Sequence, residues 1–292
     1  MDGMRFPKRV QIFEVGPRDG LQNEPNFIAT ENKVKLTDLL TEAGCQRIEV
    51  TSFVHPKWVP QLADAADVIA RVERRVGVLY NALIPNAKGL ERAIQAGLTE
   101  VVTIMSASES HNAKNINMSV AASLEAVAEI NRVAASRGVR VRSYIGTAYG
   151  CPFEGEVPPE KVADIAATLE ACGSYEISLG DTTGMAHPGS AFKVGRLVKS
   201  RLQRASLAAH FHQADGIEFA NVLASLQAGV EVFDGAAGGL GGCPYAPGAR
   251  GNIATETLVE MLHRMGIETG IDREKIQAAG AYAKSLSAYA HH

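Results

Sequence analysis

The 292-residue sequence is poor in cysteine and tryptophan and has no long apolar run. Its four cysteines, Cys45, Cys151, Cys172 and Cys243, stand too far apart for a disulfide framework or a zinc knuckle, so reduced thiols in a cytoplasm are expected. No stretch approaches the roughly 18 uninterrupted apolar residues of a membrane span. The basic start, Met1 to Arg9, has no apolar segment behind it, and the chain reads as neither inserted nor exported. An excess of one charge is also missing. Against 32 Asp and Glu stand 29 Lys and Arg, scattered along the chain, which excludes the basic footprint of a nucleic-acid or anionic-membrane partner. Neither partner is expected. A dinucleotide fingerprint is absent as well, because the turn after the first apolar strand reads GPRDGLQNE. His291 and His292 are given no function.

What is present is a repeated unit. Short runs rich in Val, Ile and aromatics, too apolar for one-sided surface strands, alternate with segments of helical period. Eight strands are expected: Val10–Val15, Arg47–Phe53, Val76–Leu83, Glu100–Ala107, Arg140–Ala148, Tyr175–Thr182, Ala208–Gln213 and Val232–Ala237. Helices over Glu31–Ala43, Asn86–Ala96 and Ser119–Arg137 stop at Gly44, Gly97 and Gly138, and Gly173 and Gly229 repeat the device. Eight such units without a composition break predict a TIM (β/α)8 barrel over residues 1–292 as one domain, with a closing helix and short C-terminal helical extension after Asn252.

A barrel of this kind assembles its active site at the carboxyl ends of its strands. Those ends are polar here. Strand one leads into Glu14, Arg18 and Asp19; strand two carries Glu49; strand three ends near Asn81; strand six ends in Asp181; strand seven holds His210 and His212. Residues two apart on a strand share a face, so both imidazoles enter the mouth. With Asp19 and Asn252 as oxygen ligands they make a site suited to Mg²⁺ or Mn²⁺ over structural zinc. Arg18 offers a planar fork for an oxyanion. Glu49 and Asp181 suit either proton transfer or a supporting role behind the site. The run GGLGGCPYAPGARGN, Gly238 to Asn252, lacks the Lys-Ser or Lys-Thr of a phosphate loop and reads as a lid that carries Cys243 over the mouth.

These segments resemble the 3-hydroxy-3-methylglutaryl-CoA lyase family of the DRE-TIM metallolyase superfamily, from about Lys8 to about Ser285. The resemblance rests on EVGPRDGLQNE at Glu14–Glu24, IEVTSFVHPKWVPQLAD at Ile48–Asp64, KNIN at Lys114–Asn117, YEISLGDTTG at Tyr175–Gly184 and the glycine–cysteine run. It implies metal-site roles for Asp19, His210, His212 and Asn252, enolate stabilisation by Arg18, catalysis by Cys243, and a need for Glu49 and Asp181. His210 is also a candidate base. An acyl-CoA thioester is the implied substrate, a homodimer the implied assembly, and leucine breakdown the implied setting. The chain departs from the family pattern at Gln213, where Asp is usual, and at Ala214, Gly146, Thr147, His111 and Asn112. A contact behind the site or in the acyl pocket is therefore expected to differ, and citramalyl-CoA and an isohexenyl-extended glutaryl-CoA stay open as substrates. The rival readings are a Claisen-condensing synthase, whose usual C-terminal extension finds no room in this length, and a barrel that binds acyl-CoA without turnover.

Overall fold

The computed structural model describes residues 6–241 and 251–287. Eight parallel strands close into a barrel in chain order: β1 Gln11–Glu14, β2 Arg47–Ser52, β3 Leu79–Leu83, β4 Glu100–Ser106, β5 Arg140–Gly146, β6 Glu176–Asp181, β7 Ser206–Phe211 and β8 Val232–Gly235. The closing pair, β1 with β8, runs in register from Gln11 opposite Val232 to Glu14 opposite Gly235. Helices α1 Thr30–Glu42, α2 Ala65–Arg71, α3 Ala87–Gln95, α4 Glu109–Ile116, α5 Val120–Ser136, α6 Pro159–Ala171, α7 Pro188–Arg201 and α8 Ile217–Gln227 return the chain between strands. Two more, α9 Thr255–Arg264 and α10 Arg273–Leu286, form the C-terminal helical extension, and α10 packs on α1.

Local chemistry sets most of these boundaries. The side chains of Asn86, Ser108, Ser119 and Asp272 accept main-chain N–H groups in the first turns of α3, α4, α5 and α10. The five glycines expected to end helices all have left-handed backbones, from φ +67° at Gly138 to +111° at Gly173. At Gly44 a Cβ would also lie 2.6 Å from the Gly270 carbonyl, so glycine is required twice over.

The structure departs from the expected strands mainly at β3 and β7. β3 begins at Leu79, because Val76 and Gly77 form an exposed turn with Gly77 at φ +87°. β7 begins two residues early, at Ser206, and ends at Phe211; His212 lies just beyond it and bridges to Asn252. Helix α4 was not anticipated: the run around KNIN is too short and polar to show a clear apolar stripe.

Two layers of packing follow from the period-2 alternation of the strands. Outward residues such as Ile48, Val50, Ile177 and Leu207 join the helices' Leu90, Ile130, Leu169 and Leu258 in the main apolar core. The smaller inner cluster contains Phe13, Val102, Tyr144 and Ala208, and much of the remaining interior is polar or charged. Arg47 pairs with Glu100 and Glu176, and Arg142 pairs with Glu176 and Asp234, all at 2% exposure or less. Each guanidinium also lies over the Phe13 ring, at 4.7 Å for Arg47 and 3.9 Å for Arg142.

Candidate metal centre

At the carboxyl end of β1 the chain makes a tight π-helical turn over Gly16–Gly20, with the N–H groups of Arg18, Asp19 and Gly20 all donating to the Val15 carbonyl. A side chain at Gly16 would crowd the Glu14 carboxyl, since a Cβ there would lie 2.6 Å from Glu14 Oε1. The turn sends both Arg18 and Asp19 inward. Arg18 donates through Nε to Glu49 Oε2 at 2.7 Å and pairs through Nη2 with the same oxygen at 2.6 Å. Its Nη1 binds Asp19 Oδ1, which also accepts from Gln22 at 2.9 Å. The other carboxylate oxygen, Asp19 Oδ2, accepts from Asn252 Nδ2 at 2.8 Å. Burial disfavours the charge on Asp19, but Arg18, the two imidazoles and Asn252 outweigh it and hold the carboxyl below the usual range.

The two imidazoles enter from the end of β7 with ring centroids 5.0 Å apart. His212 Nδ1 lies 2.8 Å from the Asp181 carbonyl; a carbonyl only accepts, so Nδ1 carries the proton and Nε2 keeps its lone pair. Burial, with His210 alongside, lowers the His212 pKa to about 4, leaving a neutral ring at pH 7. His210 Nδ1 meets Asp234 Oδ2 at 3.0 Å. Burial opposes ionisation of Asp234, yet Arg142, His210 and Tyr144 hold its pKa at about 2, so it is a carboxylate that accepts the His210 Nδ1 proton. Both rings are thereby turned with Nε2 free.

Ligand atoms of Asp19, His210 and His212 lie within 4.8 Å of one another, and no other such group of His, Cys, Asp or Glu occurs among the described residues. Beside them, Asn252 is 1% exposed and its Oδ1 has no hydrogen-bond partner. Glu49 Oε1 and Asp181 Oδ2 are equally buried and unpartnered. Two imidazole nitrogens, a carboxylate and an orphaned amide oxygen, with one guanidinium shared between the Asp19 and Glu49 carboxyl groups, fit a divalent cation. Asn252 reaches this place because the segment it starts runs back against β7, with Ile253 N donating to Phe211 O and Gln213 N to Gly251 O.

Of the residues singled out in the sequence, Arg18, Asp19, Glu49, His210, His212 and Asn252 converge. Asp181 stands behind His212, tied to it through a main-chain carbonyl, with Ala186 N donating to its Oδ1. Burial raises its pKa to about 6 against those main-chain donors. Cys243 lies outside the described residues. His111 and Asn112 are buried and tie α4 to β4: His111 Nδ1 meets Ser106 Oγ at 2.6 Å, and Asn112 Oδ1 accepts Ser106 N at 2.8 Å. The Gln213 amide turns to main-chain carbonyls behind Asn252. The sequence reading missed Asp234, Tyr144 and Arg142. Its available signal was a charged residue at an inward position of a buried strand, VFDG in β8 and RVRSY in β5.

A closed parallel barrel with a histidine–carboxylate cluster at the carboxyl ends of its strands is the architecture of a barrel enzyme whose chemistry sits in that mouth. The HMGL-like family model matches residues 9–282. Hydroxymethylglutaryl-CoA lyase YngG of Bacillus subtilis is 48% identical over 279 residues, covering 96% of this chain and 93% of its own. A 3-hydroxy-3-isohexenylglutaryl-CoA/hydroxy-methylglutaryl-CoA lyase of Pseudomonas aeruginosa is 47% identical, covering 95% and 92%. A crystal structure of a Bacillus subtilis HMG-CoA lyase superposes with a TM-score of 0.93 at 48% identity, covering 97% of this chain and 95% of that one. The chain belongs to the HMGL-like family of carbon–carbon lyases.

Proposed function

We propose that the chain cleaves 3-hydroxy-3-methylglutaryl-CoA to acetyl-CoA and acetoacetate, with Mg²⁺ or Mn²⁺ held by Asp19, His210, His212 and Asn252. The observation that carries this reading is the buried Asp19–His210–His212 cluster with the unpartnered Asn252 oxygen beside it, in a chain about half identical to lyases of that name. When bound there, the cation would supply Lewis-acid charge at the substrate's tertiary hydroxyl. Arg18 stabilises the thioester enolate left when the carbon–carbon bond breaks. Its guanidinium is held in position by Glu49 and Asp19, so little reorganisation accompanies the appearance of that charge. His210 has its Nδ1 proton committed to Asp234, which leaves it a ligand's role. The hydroxyl proton is assigned to Asp181 or Glu49, each with a buried carboxylate oxygen free of partners. Cys243 is assigned the return of a proton to the enolate carbon.

Chelation followed by add-back tests this reading. Release of acetoacetate should vanish with the metal and return with Mg²⁺ or Mn²⁺; undiminished cleavage by the chelated enzyme would refute it. A panel including isohexenyl-glutaryl-CoA and citramalyl-CoA identifies the preferred acyl group, and the Pseudomonas relative is the reason to include the first. Acetyl-CoA with 2-keto acids, followed by free thiol, tests the condensing direction. Cytoplasmic residence, a single catalytic domain, a homodimer and a place in leucine breakdown belong to the same proposal. No helix among the described residues is long and apolar enough to cross a membrane. Cell fractionation and mass photometry check the first and third of these.

A further inference from the structure

Gln213 directly follows His212 and gives three donors to main-chain carbonyls. Its backbone N–H donates to Gly251 O at 2.8 Å. Its side-chain Nε2 donates to both Gly239 O at 2.9 Å and Asn252 O at 3.0 Å. Those two carbonyls belong to stretches on either side of residues 242–250, so one amide nitrogen with two hydrogens joins the stretch before Gly241 to the stretch after Gly251. The space is shaped for it: a Cβ on Gly239, whose φ is +65°, would sit 2.6 Å from Gln213 Nε2. Asn252 is the residue so restrained. Its N donates to Leu240 O at 3.2 Å, and its Nδ2 donates to Leu240 O at 2.9 Å and Asp19 Oδ2 at 2.8 Å. Only its Oδ1 is left over, buried beside the imidazoles.

We infer that Gln213 is a positioning residue for cation affinity: by holding the Asn252 carbonyl against the Gly239 stretch it keeps Asn252 Oδ1 at the Asp19–His210–His212 cluster. This rests on the cation-site reading above. The chemistry of the clamp is specific. A glutamate of the same shape has no hydrogen to donate and would bring a negative charge against two carbonyl dipoles, while alanine removes the donors and adds no charge.

The test is Mn²⁺ binding to the full chain, followed by calorimetry and by electron paramagnetic resonance, for the wild type, Gln213→Glu and Gln213→Ala. Thermal midpoints are measured alongside. The expected result is a Kd raised roughly 10- to 100-fold in Gln213→Glu and less in Gln213→Ala. Cleavage should return toward the wild-type rate as Mn²⁺ is raised to saturation, with little change in KM for the thioester. Wild-type affinity in both variants, whatever their thermal midpoints, would overturn the inference and leave the cation reading standing. A wild-type chain that takes up no Mn²⁺ would overturn both. If Gln213→Glu fails to fold, Gln213→Ala alone decides on the same criterion.

Discussion

The two ends of the barrel interior treat buried charge in opposite ways. At the amino end, buried Arg47 and Arg142 and half-exposed Arg140 face the buried Glu100, Glu176 and Asp234, three cations against three carboxylates, and Tyr144 and Tyr175 add donors. At the carboxyl end, Arg18 pairs with Asp19 and Glu49, Asp181 stands behind His212 without a cation, and three acceptor oxygens, Glu49 Oε1, Asp181 Oδ2 and Asn252 Oδ1, are left without partners. Elsewhere in the strands the atoms without partners include Arg47 Nε, Asn81 Oδ1 and Ser178 Oγ, none of them a carboxylate oxygen. A buried charge costs several kcal/mol unless matched, so balance at one end and deficit at the other mark one as a structural plug and the other as a site completed by something positive. Asp234 belongs to both: Arg142 donates to both of its oxygens, and His210 and Tyr144 meet it at Oδ2.

The widest break in this contrast comes from unbalancing the plug. Arg142→Met should take the guanidinium from Asp234 and one of two from Glu176, and cost about 3–5 kcal/mol of stability in denaturant unfolding. A loss under about 1 kcal/mol would mean that the interior charges are not matched as described. In the mouth, Arg18→Met should cut turnover about 10²- to 10³-fold, the loss of one preorganised donor to a developing oxyanion. Turnover at the wild-type level in Arg18→Met would remove Arg18 from that role and erase the distinction between the ends.

Asp234→Asn tests the residue that both ends share. Mn²⁺ affinity should weaken roughly 10- to 100-fold, since the proton on His210 Nδ1 loses its ionic acceptor. Unchanged affinity would confine Asp234 to the plug. The last test, read as a slope with pH, concerns a third treatment of charge, at Glu14. This fully buried carboxyl has only neutral donors, Gly16 N, Ala237 N and Thr255 Oγ1, and burial raises its pKa to about 7. The folded state therefore binds more protons than the unfolded state between about pH 4.5 and 7, and stability should fall as pH rises through that window, by at most about 1.4 kcal/mol per pH unit. Glu14→Gln should remove that slope in pH-dependent unfolding; an identical slope would show that Glu14 is ionised throughout.

Much of this was readable in the chain, and for definite reasons. Eight apolar runs and five closing glycines expose the β/α repeat, because both signals are local: a strand buried on two faces is continuously apolar, and a left-handed helix end demands glycine. Arg18, Asp19, His210 and His212 were recognised because short spacings put them at strand ends. Asp234 and Arg142 were passed over, since one charge within an apolar strand looks unfavourable until its partner from another strand is known. Gln213 was expected to alter a contact behind the site or in the acyl pocket; its partners, Gly239 and Asn252, are 26 and 39 residues away along the chain.

The sequence by itself determined the eightfold repeat, the inward alternation of side chains and the choice of groups at the mouth, all properties of neighbouring residues. Only barrel closure decided the rest. It paired β1 with β8, brought Asn252 to Asp19 across 233 positions of sequence, and set Asp234 against His210. Hydrogen bonds and charge pairing act over a few ångströms in space, and which residues come that close is settled by the closed barrel.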